Sequence, residues 1–186
     1  MEQDNAWPAG LLRDFERWAT YATFEDRYSA SYNKLLQYCF GLEHSTVCIA
    51  PGNPYTDDRP STHPIVYFVA YDPGPSDPIL LVEIKDDSCA DLSALRRCAD
   101  EQMRELYEEM LAKCPLRRLW GLSLLGRSMR VYCGDVKSHT VDPPYKSGRT
   151  MPPSYLAGEW DLDILSQEGF DKMKTIIGDI TAHRRL

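Results

Sequence analysis

The sequence predicts a mixed α/β domain, a central β-sheet flanked by helices, and three stretches carry that prediction. Ile65–Asp72 ("IVYFVAYD") is rich in β-branched and aromatic residues, turn-dense "DPGPSDP" follows, and Ile79–Lys85 ("ILLVEIK") is a second apolar run, which together read as a β-hairpin. Residues 93–114 place Leu95, Cys98 or Ala99, Gln102 or Met103, Leu106, Met110 and Cys114 on one stripe with the period of an amphipathic helix, and Pro115 ends the run. "LRRLWGLSLLG" and "SMRVYCGDV" then read as a second hairpin around Gly126 and Arg127. Sheets of this kind bury a face against helices, hence the class.

The remaining elements follow in order. Residues 9–24 set Leu11 or Leu12, Phe15, Trp18 or Ala19, and Ala22 at helical spacing, which predicts a first helix. Ser29 precedes a second such run with Leu35, Leu36, Cys39 and Phe40, and Gly41 stands where a helix stop is expected. "STVCIA" (residues 45–50) is short and β-prone, and residues 51–62 collect Pro, Gly, Asn, Asp and Ser without periodicity, a loop of the kind that often carries function. Residues 141–158 are proline-rich and polar, an irregular crossing, and Ser166 starts a last helix with Phe170, Met173, Ile176, Ile177 and Ile180 inward. No internal repeat or linker divides the 186 residues, so the expectation is a single domain over 1–186, with an N-terminal helix in 1–27 and an irregular segment and helix in 136–186.

A net charge of −7 works against broad attraction to a polyanion, so any contact with nucleic acid has to be local. The six cysteines are scattered without metal-ligand spacing and read as reduced core thiols. Neither a leader-like N-terminus nor a run of about 20 apolar residues is read here, so the expectation is no membrane partner and a place inside the cell, in cytoplasm or nucleus.

Alternation along the strand puts Leu81, Glu83 and Lys85 on one face and Leu80, Val82 and Ile84 on the other, with about 6–7 Å between successive same-face Cα atoms. Glu83 and Lys85 therefore converge on one small volume. Two readings of the pair stand. It is an ion pair at a strand end with both tips in water, or it is a site where a carboxylate helps hold Mg²⁺ and an ammonium orients water or offsets phosphate charge.

The segment from Ser61 through Ser123 resembles the core of the PD-(D/E)XK nuclease-like superfamily: a helix, a β-hairpin whose second strand ends in (D/E)-x-K, a helix, then another strand. "YNKLLQYCF", "PILLVEIKDD", "ADEQMRELY", "LWGLSLLGRSMRVYC" and "WDLDILSQEGF" look like an uncharacterised fungal branch of it, with 28–135 as the nuclease-like core. The resemblance implies a restriction-endonuclease-like fold and a metal-dependent phosphodiesterase acting on DNA or RNA with Mg²⁺ or Mn²⁺. Residue by residue, it implies Glu83 as metal ligand, Lys85 as water-orienting and charge-stabilising group, and Gln102 with Tyr107 in support. A surface Gln is the other reading of Gln102.

One departure stands out. The superfamily's pattern sets an Asp near the start of the strand before E-x-K, and here His63 holds that place, a ligand suited to Zn²⁺ or Mn²⁺ better than Mg²⁺. His63 or Asp58, with Asp57 beside it, is the candidate to complete the metal site; Asp72, at the other end of its strand, is the weaker replacement. Without such a partner the chain is a nuclease fold that has lost hydrolysis and serves as a protein- or nucleic-acid-binding module, with a protein partner or a second copy as its target.

Basic residues Arg96, Arg97, Arg104, Lys113, Arg117, Arg118, Arg127 and Arg130 come from the long helix and the hairpin after it. Arg97, Arg104 and Arg127 are the candidates for phosphate contacts; the alternative is a solvated helix face paired to Glu101, Glu105, Glu108 and Glu109. Trp120, Tyr132 and Trp160 read as core residues. Ser123 lies in no nucleophile elbow, and His139 and His183 lack an evident acidic partner, which leaves a serine hydrolase without support.

Overall fold

The computed structural model describes residues 1, 3–18, 24–41, 47–52, 66–71, 77–146 and 152–184. Its helices are α1 (Ala9–Trp18), α2 (Phe24–Phe40), α3 (Ser93–Met110) and α4 (Gln167–Arg184), and its strands are β1 (Cys48–Gly52), β2 (Val66–Tyr71), β3 (Pro78–Lys85), β4 (Arg118–Leu125), β5 (Ser128–Asp135), β6 (Thr140–Asp142) and β7 (Leu162–Asp163). The chain is thus mixed α/β, as the sequence predicts. The sheet runs β1-β2-β3-β4-β5-β6, with the two-residue β7 also on β5. Among the described strands only β3 and β4 pair in parallel, and α3 lies in the connection between them.

Both expected hairpins form. β2 pairs antiparallel with β3, Tyr67 opposite Glu83, and β4 pairs antiparallel with β5 through the Gly126 turn, where φ is +62°. Glycine takes that left-handed backbone without the steric cost a Cβ brings. β3 is buried along its whole length, which is why it reads as a near-continuous apolar run. Pro51 and Gly52, expected in the loop, are instead the last residues of β1. β1 is an edge strand, where a residue without an N–H is tolerated.

Other boundaries differ modestly. α2 starts at Phe24, before Ser29, so Tyr28 and Tyr32 continue its inner stripe, both buried, and the Tyr32 hydroxyl donates to the Gly126 carbonyl at 2.7 Å. The expected extension of the first helix beyond Trp18 lies outside the described residues. α3 stops at Met110 and tightens into a 3-10 turn, Leu111–Lys113, before Pro115. Ser166 does start the last helix: its Oγ accepts from the Gly169 N–H at 3.0 Å. β6 and β7 fall in or beside the segment expected to be irregular.

Register divides the sheet into two faces. Partner pairs Glu83/Ser123 and Ser123/Arg130, with Gly121/Tyr132 beside them, share the face that α3 covers. On the opposite face Trp120 donates from Nε1 to Asp179 of α4 at 2.8 Å, and the main core joins residues of α1, α2 and α4 to the sheet. The result is helix, sheet, helix in three layers. Tyr107 locks α3 down. Its ring is buried, its hydroxyl donates to the Leu119 carbonyl at 3.0 Å, and a Cβ on Gly121 would meet its oxygen at 2.7 Å.

That close approach predicts opposite outcomes for two glycines. Gly121→Ala overpacks the Tyr107 ring and lowers unfolding free energy by about 1–3 kcal/mol. Gly178→Ala, on the exposed face of α4 with nothing within 4 Å, raises it by about 0.5–1 kcal/mol. Urea unfolding midpoints of the two variants check the pair.

Candidate functional site

Glu83 sits two positions from the C-terminal end of an eight-residue central strand, with no solvent exposure. The neighbouring strand supplies a hydrogen bond: Ser123 donates from Oγ to Glu83 Oε2 at 3.1 Å. Lys85, two residues along the same face, brings Nζ to 3.5 Å from Oε1, and its side chain is only 4 % exposed. Among the described residues Oε1 has that ammonium beside it and accepts no hydrogen bond. The pair is therefore not a solvated strand-end ion pair. Both charges are held out of water, which costs several kcal/mol per ion unless partners compensate.

The compensation is partial, and the acid's proton affinity reflects it. Burial pushes the Glu83 carboxyl up to about 7, against an ordinary value of 4.5; Lys85 and the Ser123 hydroxyl pull it down, and the charge of Asp100 adds to the rise.

A second buried carboxylate anchors the other side of the site. Asp100, 1 % exposed on α3, accepts from Arg104 Nε at 3.0 Å and Nη2 at 3.1 Å, from Arg130 Nη1 at 3.0 Å and from the Tyr132 hydroxyl at 2.9 Å. Arg130 stands opposite Ser123 on the next strand, so Glu83, Ser123 and Arg130 form one row across β3, β4 and β5. Trp160 completes it, donating from Nε1 to Ser123 Oγ at 3.2 Å. The sequence reading gave Asp100 and Glu159 no part and used Ser123, Arg130 and Trp160 otherwise. The available signal was an Asp inside the buried stripe of α3, between Ala99 and Met103.

Gln102 lies half-buried and its Oε1 accepts no hydrogen bond, while nothing joins it to Glu83 or Lys85. Its expected partnership with that pair is absent among the described hydrogen bonds. Tyr107 holds Leu119 and is likewise not at the pair. His63, Asp57, Asp58 and Asp72 lie outside the described residues.

The three candidate arginines for phosphate contact each pair with a carboxylate of the chain, buried for Arg104 and at the surface for the other two. Arg97 pairs with Glu101 at 2.6 Å, Arg104 with Asp100, and Arg127 with Asp163. Lys113 pairs with Glu109 at 3.5 Å, as the helix-face alternative expects, and Arg96 is buried on the carbonyls of Ala90, Pro153 and Tyr155. Arg117 and Arg118 are exposed, Arg118 at the opposite end of β4 from Leu125. Tyr132 and Trp160 are core residues as expected, whereas Trp120 is half-buried. His183 does have an acidic neighbour, Asp179 at 3.5 Å, one helical turn back.

Among the described residues no group of three or more His, Cys, Asp or Glu could hold a metal ion. Cys39, Cys89, Cys98, Cys114 and Cys133 are free, three of them buried, as reduced thiols would be. No described helix is long and apolar enough to cross a membrane. For a hard divalent cation the donor set fits in kind, a buried carboxylate oxygen with no hydrogen bond; the described residues supply it alone. No protein-family model, curated protein or solved structure matches the chain.

Because the folded protein keeps a proton on Glu83 that the unfolded chain releases, this group's contribution is full below about pH 4.5 and is lost as pH rises through about 7. The stability of the wild type relative to Glu83→Gln is expected to fall by about 1–3 kcal/mol across that window. Denaturant titrations of both proteins at several pH values measure the difference, and a flat or rising difference contradicts the assignment.

Proposed function

We propose that the chain is a metal-dependent phosphodiesterase of the PD-(D/E)XK nuclease type, acting on DNA or RNA, with Glu83 and Lys85 at its centre. The observation that carries the reading is Glu83 Oε1, an acceptor buried in the middle of the sheet with no hydrogen bond and with an ammonium 3.5 Å away. Natural proteins seldom leave such an oxygen without a donor, and a divalent cation is one group that satisfies it. The order of a hairpin, E-x-K at the end of its second strand, a helix and a parallel strand supports a restriction-endonuclease-like core.

In this reading Glu83 holds Mg²⁺ or Mn²⁺ together with His63 or Asp58. The ion, when bound, supplies charge for the scissile phosphate and acidifies the attacking water. Lys85 orients that water and offsets developing negative charge, and its position two residues from Glu83 on one face is what lets it do so. Ser123 fixes the Glu83 carboxylate through Oε2, which leaves Oε1 for the ion. Gln102, the supporting residue of the resemblance, also has an oxygen that accepts no hydrogen bond among the described residues.

A second reading has its own observation. Glu83 and Lys85 are buried, and Arg97, Arg104 and Arg127 are paired internally, as suits a nuclease fold that no longer cleaves and binds a protein or nucleic acid instead.

One experiment separates them: Mg²⁺ and Mn²⁺ calorimetry, paired with cleavage of labelled single- and double-stranded DNA and RNA. The phosphodiesterase binds metal more tightly as pH rises through about 7, since the ion competes with the Glu83 proton. Cleavage falls by at least about 100-fold in Glu83→Ala and in Lys85→Ala. A wild type that neither binds metal nor cleaves any of the four substrates leaves the binding module.

A further inference from the structure

Besides α3, one short segment covers part of the row, through Glu159 beside Arg130 and Trp160 on Ser123. Residues 152–160 run along the surface with all but Leu156 and Trp160 exposed or half-exposed. These two side chains pack with Cys89, Ala99 and Leu125 in a small cluster separate from the main core. Arg96 holds the segment by its backbone, donating to the carbonyls of Pro153 at 2.6 Å and Tyr155 at 2.9 Å. Leu156 takes a left-handed backbone, φ +54°, which a side chain with a Cβ adopts only at a steric cost.

Beneath that strap lies a cation with donors to spare. The Arg130 side chain is 3 % exposed, and Nη1 donates to Asp100, but Nε and Nη2 make no hydrogen bond. Nε and Nη2 form the side-on fork of a guanidinium, the edge whose two parallel N–H groups match two oxygens of a carboxylate or phosphate. The strap lies against it: Glu159 Oε2 stands 3.5 Å from Nη2, and the Trp160 and Tyr132 rings lie against the guanidinium, centroids 5.1 and 5.0 Å from its carbon. Lys146 donates a closer bond to the other oxygen of Glu159, Oε1. The fork thus faces a carboxylate it does not properly engage.

We propose that Arg130 is a phosphate-binding residue and that strap 152–160 is a removable plug, with the Glu159 carboxylate in the place of a substrate oxyanion. Lifting the strap uncovers the Arg130 fork and frees the Ser123 hydroxyl from Trp160, both in the row that contains Glu83. Two strand spacings of about 4.8 Å separate Glu83 from Arg130 along that row, room for a phosphodiester between them. The assignment of the phosphate as a scissile one rests on the phosphodiesterase reading; the anion site itself does not.

The test uses inorganic phosphate as the probe, in metal-free buffer, with binding followed by calorimetry on the full chain. Glu159→Gln is expected to bind phosphate at least about tenfold more tightly than the wild type, and its strap amides to exchange hydrogen faster. Glu168→Gln, the same charge change at an exposed site on α4, shifts binding less than about twofold. Adding Arg130→Lys to Glu159→Gln removes the gain, since lysine keeps the charge and loses the fork. An unchanged affinity in folded Glu159→Gln, an equal gain in Glu168→Gln, or a gain that survives Arg130→Lys overturns the proposal. Tighter phosphate binding without any metal-dependent cleavage keeps the plugged anion site and sinks the phosphodiesterase. Cleavage that needs Glu83 with no phosphate gain does the reverse.

Discussion

Glu83 keeps a carboxylate on a central strand with no access to water, supported by one hydroxyl and by an ammonium at the long end of ion-pair contact. Taking an acid that far out of water is unfavourable, and the surroundings are arranged around that cost. Ser123 has to be a donor where the rest of β4 is largely apolar; its own oxygen is then satisfied by Trp160, which draws the strap onto the sheet. Lys85 has to lie on the same face and cannot be alternated away without leaving the acid alone. The proton affinity of Glu83 rises because these supports do not fully replace water.

Asp100 faces the same problem and meets it with a different arrangement. It accepts four hydrogen bonds from Arg104, Arg130 and Tyr132, and so ties α3 to β5 in a geometry that packing alone would leave looser. The contrast between the two carboxylates separates structure from function here. A fully satisfied buried network fixes a fold, whereas acceptors and donors left over, Glu83 Oε1 and the Arg130 fork, have the capacity to bind something else. Among the described residues these two occur in one row of the sheet, while Gln102 Oε1 and Glu109 Oε2, also left over, are on α3. That coincidence is what makes the row a candidate site.

Legibility in the sequence followed the range of the interaction. α3 and the two hairpins were readable because their periodicity and turn residues are local, and Glu83 and Lys85 because alternation is a property of the strand itself. β6 and β7, three and two residues long, have no run in which a period could be seen. The i,i+4 pairs Arg97/Glu101 and Lys113/Glu109 were foreseeable. Arg127/Asp163 and Arg130/Asp100 were not, because they depend on which strand lies beside which and where the chain returns. For the same reason Trp160 read only as core: its bond to Ser123 spans 37 residues. The depth of Glu83 was hidden too, since alternation assigns a face and says nothing of what covers it.

The central claim is that Glu83 is a buried acid with one oxygen available to a cation. Its carboxyl carbon can be followed by ¹³C NMR in glutamate-labelled protein, assigned by the resonance missing from Glu83→Gln, and titrated from pH 4 to 9 with and without Mg²⁺. The account predicts a midpoint near 7 that moves down when Mg²⁺ is added. A midpoint in the ordinary range near 4.5, unmoved by the ion, would contradict it.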